Sequence, residues 1–265
     1  MSRIAAIGHL SRDVVAGGEP RPGGPVFYAA RALAHLAPNA HVAASCSAAH
    51  REELLPALEG LGLPVRWYES SETTQYSFEY EGEERIMRQT AVGDPWSAAQ
   101  AVEAVRDARW VHVGALTRTD FPEETLAALA SQGRTLLVDA QGLVRRPTLG
   151  PLEMDADVGA VLAYVTILKL NEEETEPLVG STAPEDLRAL GVPEILLTLG
   201  SRGSLVVTSE GIEHVDAHEV PDARDPTGAG DTFAAAYLAA RAFGEDPVAA
   251  AHEATAAAAN LLRAK

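Results

Sequence analysis

The sequence predicts a protein of the α/β class. Short runs of apolar and β-branched residues alternate along the chain with longer stretches rich in alanine and leucine. The short runs have the length of buried strands and the longer stretches have a helical spacing, a pattern typical of βαβ units around a mostly parallel sheet. With 265 residues and 46% hydrophobic content, the chain can bury a large core. We therefore expect one domain over residues 1–265.

The individual elements follow from this alternation. The chain is predicted to begin with a strand at residues 3–8 and a helix at 26–36, followed by a strand at 41–45 and a helix at 52–61. Further strands are predicted at residues 110–113, 135–139, 165–169, 195–199 and 204–207.

The segment from about residue 65 to residue 87 breaks this rhythm. Its polar and apolar residues alternate, and Glu81-Gly82-Glu83 has the composition of a turn, which favours antiparallel hairpin strands. Tyr76, Phe78 and Tyr80 are two residues apart and share one face of a strand. The segment is either an ordinary amphipathic sheet edge or a small β lid that closes over a substrate.

The charge balance excludes several classes of partner. Lysine and arginine total 21 residues against 38 aspartates and glutamates, a net charge of −17, and the only lysines are Lys169 and Lys265. Such a field repels nucleic acid and anionic membranes, so that neither is an expected partner. Any phosphate must be held locally by backbone N–H groups, arginine or a metal ion.

Cysteine usage and hydropathy predict a cytoplasmic location. Cys46 is the only cysteine and cannot form an intrachain disulfide, which suits a reducing compartment. No apolar stretch has the length of a membrane span or of a signal-peptide core, and no Cys/His cluster has zinc-ligand spacing.

The most informative segment runs from Asp225 to Phe233, with the sequence Asp-Pro-Thr-Gly-Ala-Gly-Asp-Thr-Phe, and continues into an alanine-rich stretch. Gly228 and Gly230 permit a tight turn, and the alanines favour a helix that starts there, so converging N–H groups would form an anion hole. Asp231 in the same turn would repel a bound phosphate, so its presence needs a reason, and the role of general base in a phosphoryl transfer is such a reason. Alternatively, Asp231 only caps the helix.

Two further segments bear on the function. Residues 197–207 place two apolar runs around a glycine-rich bend, which on its own predicts a β-hairpin. Residues 167–174 end a strand with Asn171 and Glu174 at the start of a helix. Acidic residues there complement the helix dipole, or Asn171 and Glu174 organise Mg²⁺ and its waters near a nucleotide.

Taken together and in this order, these segments resemble the PfkB, or ribokinase-like, family of sugar kinases. The run 225–231 is similar to the family's C-terminal signature, 171–174 to its Asn-x-x-Glu motif and 198–203 to its Thr-x-Gly loop. The resemblance extends to the first strand, at residues 8–13, and to the diglycine Gly23-Gly24. Residues 138–145 are similar to a strand-end segment of smaller, myo-inositol-kinase-like members.

This resemblance implies a ribokinase-like three-layer fold with a mostly parallel central sheet and a small β lid at about residues 65–90. It also implies ATP and Mg²⁺, a small sugar, cyclitol or other polyol as acceptor, and a homodimer formed through the lid. The implied roles are: catalytic base, Asp231; anion hole, Gly228, Ala229 and Gly230; nucleotide binding, Asn171, Thr198, Gly200, Ser201, Arg202 and Gly203; substrate binding, Asp13, Gly23, Gly24, Gln141 and Asp231; and Mg²⁺ through water, Glu174.

The chain departs from the family pattern at two places. Tyr28 stands where ribokinase-like members carry a sugar-contacting Asn, which argues against ribose as the substrate. Asp225 and Thr227 match one half of a monovalent-cation loop, but the sequence ends at Lys265, before the loop that supplies the other half. The resemblance therefore implies weak or absent potassium activation.

Other classes of protein are excluded or kept as alternatives. The sequence has no Gly-x-x-x-x-Gly-Lys-Ser/Thr motif and none of the protein-kinase signatures. Lys169 could form a Schiff base with pyridoxal phosphate, but its place before Asn171 favours a structural or phosphate-neighbour role. His214 and His218 lack further ligands for a metal. The alternatives are a catalytically weak sugar or nucleotide sensor and a nucleoside kinase.

Overall fold

The computed structural model describes residues 3–15, 17–81, 84–155, 158–181, 183–221 and 225–265. Within these residues the strands are β1 (Ile4–His9), β2 (Ser11–Val15), β3 (Arg21–Gly23), β4 (His41–Ser47), β5 (Val65–Ser70), β6 (Thr74–Glu81), β7 (Glu84–Ala91), β8 (Trp110–Gly114), β9 (Thr135–Asp139), β10 (Gly150–Pro151), β11 (Ile167–Asn171), β12 (Glu194–Thr198), β13 (Ser204–Val207) and β14 (Ile212–Val215). The α-helices are α1 (Pro25–Leu36), α2 (Arg51–Glu59), α3 (Ala98–Val105), α4 (Glu123–Ala130), α5 (Gln141–Val144), α6 (Glu172–Val179), α7 (Ala229–Phe243) and α8 (Pro247–Arg263).

The larger sheet has nine strands in the order β14-β13-β12-β11-β9-β8-β1-β4-β5 among the described residues. The strands from β12 to β5 run parallel, and β13 and β14 are antiparallel additions at one edge. Parallel strands place all their carboxyl ends at one edge of the sheet, where ligands of open α/β sheets bind. The α/β class and the mostly parallel sheet are confirmed.

Helices cover both faces of this sheet. Successive residues of β1 alternate between two apolar clusters, because side chains along a strand point to opposite faces. Ile4 and Ala6 pack with α1, α2, α7 and α8, whereas Ala5 and Ile7 pack with α3, α4 and α5. Since β1 is buried on both faces, its sequence is a continuous apolar run rather than an alternating one. The three-layer arrangement follows from this double burial.

The second sheet has the order β10-β7-β6-β2-β3 in the described part of the chain. Here β6 and β7 form the antiparallel pair that the alternating sequence predicts. The predicted lid segment is nevertheless wrong at its start. Residues 65–70 form β5, which pairs in parallel with β4 at the edge of the larger sheet. Alternation shows that a strand has two different faces, but it does not show which sheet the strand joins.

Tyr76 and Phe78 share a face as predicted, and both are buried, at 3% and 4% exposure. They pack against Leu116, so this aromatic face is used within the chain. The side chain of Tyr80 and the predicted turn residues Gly82 and Glu83 lie outside the described part of the molecule.

The predicted boundaries differ from the observed ones by a few residues. The strand predicted at residues 165–169 is Ile167–Asn171, and the helix predicted at 52–61 is Arg51–Glu59. The strands at 135–139 and 204–207 are where the sequence predicts them. No helix of the described residues has the length and apolar character that crossing a membrane requires.

The diglycine is fixed by close packing. Gly24 has φ 92° and ψ 155° and is the N-cap of α1, with Pro25 at the first helical position. A Cβ on Gly24 would lie 2.6 Å from the His9 carbonyl oxygen, and one on Gly23 would lie 2.2 Å from Asp13 Oδ2. These glycines therefore let the end of β1, β2 and the start of α1 meet.

We expect Gly24→Ala to destabilise the fold more than Gly62→Ala does. Gly62 has φ 82°, and a Cβ there would meet no atom within 4 Å, so alanine costs only about 1–2 kcal/mol of backbone strain. At Gly24 the contact with His9 adds about 1–3 kcal/mol of overpacking. Urea unfolding of both variants measures the difference, and equal losses would contradict the close approach.

Candidate active site

An open cavity of about 640 Å³ lies between the second sheet and the starts of α1 and α7. Strands β2, β6 and β7 supply one wall, and the loops at the carboxyl end of the larger sheet supply the other. The predicted site residues that line it are Asp13, Gly24, Gln141, Thr227, Gly228 and Asp231. The structure thus brings residues from both ends of the sequence into one cavity.

Asp13 is held at the base of this cavity. Its carboxyl group is buried, and its Oδ1 accepts a hydrogen bond of 2.8 Å from Ser11 Oγ. Gly23 lies directly against its other oxygen, Oδ2. Gln141 is oriented by a 3.1 Å hydrogen bond from its Nε2 to the Ala115 carbonyl oxygen. Carboxylate and amide groups fixed in this way can bind the hydroxyl groups of a small ligand.

Asp231 lies in the first turn of α7, but it does not cap the helix. The N-cap is Gly228, with φ 78°, and no side chain makes a cap hydrogen bond there. The capping interpretation of Asp231 is therefore wrong. Its carboxyl group instead faces the cavity shared with Asp13.

A buried ion pair supports this turn from below. Asp139 at the end of β9 and Lys169 of β11 are register neighbours in adjacent parallel strands. Lys169 Nζ lies 2.9 Å from Asp139 Oδ2, with the two side chains 7% and 1% exposed. A Cβ on Gly230 would lie 3.0 Å from the same Nζ, so glycine is needed where α7 meets this ammonium group.

The cluster contains more carboxyl groups than the one ammonium can neutralise. Burial and, after it, the nearby Asp139 raise the pKa of Asp231, and Lys169 opposes both effects, so that the pKa is about 7. Burial likewise raises the pKa of Glu174, again against the effect of Lys169. A carboxyl group that titrates near neutral pH beside a ligand cavity is suited to general acid–base chemistry.

The predicted anion hole is only partly available. The Ala229 N–H donates to the Pro226 carbonyl oxygen at 3.1 Å. Within the described residues the N–H groups of Gly228 and Gly230 have no protein acceptor. These two donors at the amino end of α7 carry the partial positive charge of a helix N-terminus.

Asn171 and Glu174 form a reciprocal capping box at the start of α6. Asn171 Oδ1 accepts the Glu174 N–H, and Glu174 Oε2 accepts the Asn171 N–H, both at 2.9 Å. Capping of the helix start thus accounts for their positions, a structural role like the dipole interpretation but a different one. Glu174 is 2% exposed, and its neighbour Glu173 is the residue that lines the cavity.

The described residues contain no group of three His, Cys, Asp or Glu side chains placed to hold a metal ion. Magnesium commonly binds proteins through one or two carboxylates and completes its shell with water and substrate phosphates. Glu174 is buried and does not line the cavity, which fits only the water-mediated contact that the sequence predicts.

The predicted nucleotide residues gather at the ends of β11 and β12. Asn171 and Thr198 are register partners, and Thr198 begins an antiparallel hairpin with Ser204. The bend includes Gly200, Ser201 and Arg202 in a short 3-10 helix and closes at Gly203. The hairpin interpretation is correct as local structure. This bend does not line the cavity and lies beside it.

Two contacts fix this bend. Arg202 Nη2 donates to Glu172 Oε1 at 2.6 Å, which joins the bend to the start of α6. Gly203 has φ 93°, and a Cβ there would lie 2.0 Å from the Val215 carbonyl oxygen. The glycine is therefore required by the packing of the hairpin, whatever the bend binds.

Sequence reasoning assigned no site role to Arg145, which lines the cavity. Tyr76, which it placed on the aromatic face of the possible lid, also lines the cavity. Tyr28, which it placed at the sugar-contacting position, lies against Gly228, where a Cβ would come within 2.2 Å of the Tyr28 ring. Arg145 was present in the segment 138–145, and the paired ends of β9 and β11 could have indicated Asp139 and Lys169. Asp225 and Thr227 lie in the loop before α7, in contact with Lys265.

Comparison with known proteins identifies the family. A family model described as pfkB family carbohydrate kinase matches residues 8–265. The chain belongs to this family. The resemblance expected from the motifs is therefore confirmed, and the family accounts for both sheets and the cavity between them.

The structure is similar to a solved pyrophosphate-dependent kinase of the ribokinase family, complexed with a pyrophosphate analog and myo-inositol. The TM-score is 0.86 at 26% identity, over 98% of this chain and 95% of that one. A pyrophosphate-dependent myo-inositol-1 kinase converted into a myo-inositol-3 kinase gives 0.84 at 26% identity, over 98% and 93%. The ribokinase-like fold is thereby confirmed.

Among curated proteins, the aminoimidazole riboside kinase of Salmonella typhimurium is 28% identical over 155 residues, which cover 55% of this chain and 48% of that protein. The ribokinase of Staphylococcus aureus is 30% identical over 99 residues, 34% of this chain and 32% of that protein. The chain thus matches about half or less of the length of these relatives.

We expect Lys169→Met to destabilise the protein by about 3–5 kcal/mol, because it leaves the Asp139 carboxylate buried without its cation. Loss of the ammonium removes the charge that opposes the raised pKa values of Asp231 and Glu174, so both values rise further above those of the unfolded chain. Such groups stabilise the fold at low pH and lose that contribution as pH rises, so the destabilisation should be larger at about pH 8 than at about pH 6.

Urea denaturation at the two pH values measures this effect. The matched control is the double variant Asp139→Asn with Lys169→Met, which removes both charges and should recover part of the stability. A single variant as stable as the wild type at both pH values would contradict the role of this pair.

Proposed function

We propose that this protein is a kinase that transfers a phosphoryl group to a hydroxyl group of a small sugar or cyclitol. The observation that carries the proposal is the placement of Asp231. Its carboxyl group, with a pKa raised mainly by burial to about 7, shares one cavity with Asp13, and it lies in the same helical turn as Gly228 and Gly230, whose N–H groups have no acceptor among the described residues. The groups proposed for acceptor binding, proton removal and phosphoryl binding thus lie next to one another.

The acceptor would bind between the second sheet and α7. Asp13 and Gln141 offer polar groups to hydroxyls, while Tyr76, Phe78 and Leu116 offer an apolar surface to the ring. Compact polyols have both kinds of surface, and the 640 Å³ cavity is of a size that holds them. The second sheet is the lid in this proposal, since it supplies the aromatic wall.

In the chemical step, the acceptor oxygen attacks the terminal phosphorus atom of the donor. The new O–P bond forms as the bond to the leaving phosphate breaks, and Asp231 takes the hydroxyl proton. The N–H groups of Gly228 and Gly230 stabilise the negative charge on the transferring oxygens. The family uses ATP, typically with Mg²⁺. A bound Mg²⁺ would neutralise part of the negative charge on the phosphate oxygens. Glu174 would reach such an ion only through water.

Pyrophosphate is a second candidate donor. Both solved structures compared above are described as pyrophosphate-dependent, at 26% identity and nearly full coverage of this chain. In addition, the Thr198–Gly203 bend makes its contacts with Glu172 and Val215 and lies outside the cavity. The residues around Asp231 would therefore need to bind only the phosphate chain of a donor.

The deciding experiment measures product formation from a panel of cyclitols, pentoses, hexoses and nucleosides with Mg²⁺ and either ATP or pyrophosphate. Phosphorus NMR then identifies the phosphorylated acceptor and the released ADP or phosphate. We expect acceptor-dependent turnover with ATP. Turnover with pyrophosphate alone would show that pyrophosphate, not ATP, is the donor. Turnover of a nucleoside would show that the acceptor is a nucleoside and not a sugar or cyclitol. No turnover with either donor would favour a sensor.

A homodimer through the second sheet stays a prediction. The described part of the aromatic face is buried against Leu116, so it does not by itself require a partner subunit.

We expect Asp231→Asn to lower kcat by roughly 10²- to 10⁴-fold, the range for loss of a positioned general base. Donor affinity should stay similar or become tighter, because a negative charge near phosphate is removed. The Tm should not fall, since the variant removes a carboxyl group whose ionised form is disfavoured by burial. Asp186→Asn, an exposed carboxylate outside the cavity lining, is the matched control. Near wild-type turnover in Asp231→Asn would refute the mechanism.

The pH profile should show the same group. Asp231 can accept a proton only when ionised, and burial raises its pKa to about 7. Activity should therefore fall as pH decreases through about 7, with kcat/KM losing about tenfold per pH unit below it. Stopped assays in constant-ionic-strength buffers measure this, and a profile flat down to about pH 5 would show that another group takes the proton.

A further inference from the structure

The Lys265 ammonium group is fully coordinated by a single loop. Its Nζ donates to the Thr227 carbonyl oxygen at 2.6 Å, to Asp225 Oδ2 at 3.1 Å and to the Asp225 carbonyl oxygen at 3.2 Å. A lysine ammonium has three N–H donors, and these three oxygens use all of them. The side chain is 21% exposed, so the contact is largely shielded from solvent.

Other groups hold the same loop in place. Lys265 Nζ lies 5.8 Å from the centroid of the Tyr28 ring, within the range of a cation–π contact, and that ring lies against Gly228. Asp225 Oδ1 accepts the Thr227 N–H at 3.0 Å. Burial opposes ionisation of Asp225, but its hydrogen bonds with Thr227 and Lys265 lower its pKa to about 2.

This loop leads directly into the proposed phosphoryl site. Thr227 precedes Gly228, which is the N-cap of α7, lines the cavity and has an N–H with no acceptor in the described part of the chain. Asp231 follows within one helical turn. A change in the position of the Thr227 carbonyl would therefore move both the N–H donors and the base, and small displacements of reacting groups have large effects on rate.

One carboxylate and two carbonyl oxygens form the kind of oxygen set that binds a hard cation. A free monovalent cation does not fit here while Lys265 is in place, because the Lys265 Nζ itself occupies the position that these three oxygens surround. Two positive charges at such a distance would also repel each other strongly. The residues present therefore do not match the monovalent-cation site that the motif implied for Asp225 and Thr227.

We propose that Lys265 is a positioning residue whose ammonium group takes the place of a free monovalent cation and fixes the 225–228 loop. The enzyme would then transfer phosphoryl groups at the same rate with or without potassium. The effect on rate rests on the proposed function, whereas the effect on the loop itself does not.

The test compares the wild type, Lys265→Met and Lys265→Arg in potassium chloride and in tetramethylammonium chloride at equal ionic strength. Arg263→Met is the matched control, because it removes one positive charge from the same end of α8. The Arg263 side chain contacts Glu219 and Asn260 instead of the loop. Tm is measured without substrate, and kcat and KM are measured with the acceptor and donor found active.

We expect the wild type and Arg263→Met to show the same Tm and kcat in both salts. Lys265→Met should lose about 2–4 °C in Tm and roughly ten- to hundredfold in kcat, with little change in acceptor KM. Potassium or ammonium should restore part of both losses in this variant alone. Lys265→Arg retains a cation and should stay independent of potassium.

Two results would overturn the proposal. The first is potassium activation of the wild type, and the second is a Lys265→Met variant with wild-type Tm and no response to potassium. The Tm arm needs no substrate, so it separates failure of this proposal from failure of the proposed function. The expected Tm pattern with no turnover would leave the loop assignment standing and remove the kinase mechanism.

Discussion

The ion pair between Lys169 and Asp139 is the interaction on which the site depends. It joins two neighbouring strands at their carboxyl ends and lies directly beneath Gly230 at the start of α7. One ammonium there is surrounded by more than one carboxyl group, so it cannot neutralise all of these groups when they are ionised. The excess is borne by the groups with raised pKa values, among them Asp231. The pKa of Asp231 is thus raised first by burial and then adjusted, in opposite directions, by the two members of the pair that joins the strands.

The distribution of positive charge explains how so acidic a chain can handle phosphate. The net charge is −17, and both lysines of the sequence lie at the loop and helix turn of residues 225–231. Lys169 lies beneath the turn and Lys265 lies beside the loop that precedes it. Each lysine is paired with a carboxylate, so the groups that remain to attract phosphate are Arg145 in the cavity lining and the amino end of α7. Long-range steering of an anionic donor is absent, so binding must rely on this short-range geometry.

The same residues often have a structural role and a proposed functional one. Asn171 and Glu174 form a capping box, and Gly203 is required by its closeness to Val215. Such residues would be retained by the fold even without a ligand. Asp231 differs, because it makes no cap and its burial raises the free energy of its ionised form. A group that the fold does not need and that burial disfavours is the stronger indication of chemistry.

The sequence by itself determined the α/β class, most strands of the larger sheet, the start of α7 and the family, because these depend on local periodicity and on short motifs. It also named Asp13, Gly24, Gln141 and Asp231, which the fold brings into one cavity. Only the tertiary structure decided that residues 65–70 join the larger sheet, since alternation is the same in either sheet. Likewise, the pairing of Lys169 with Asp139 and of Lys265 with Asp225 joins residues 30 and 40 positions apart, a distance in sequence over which no local pattern specifies contact.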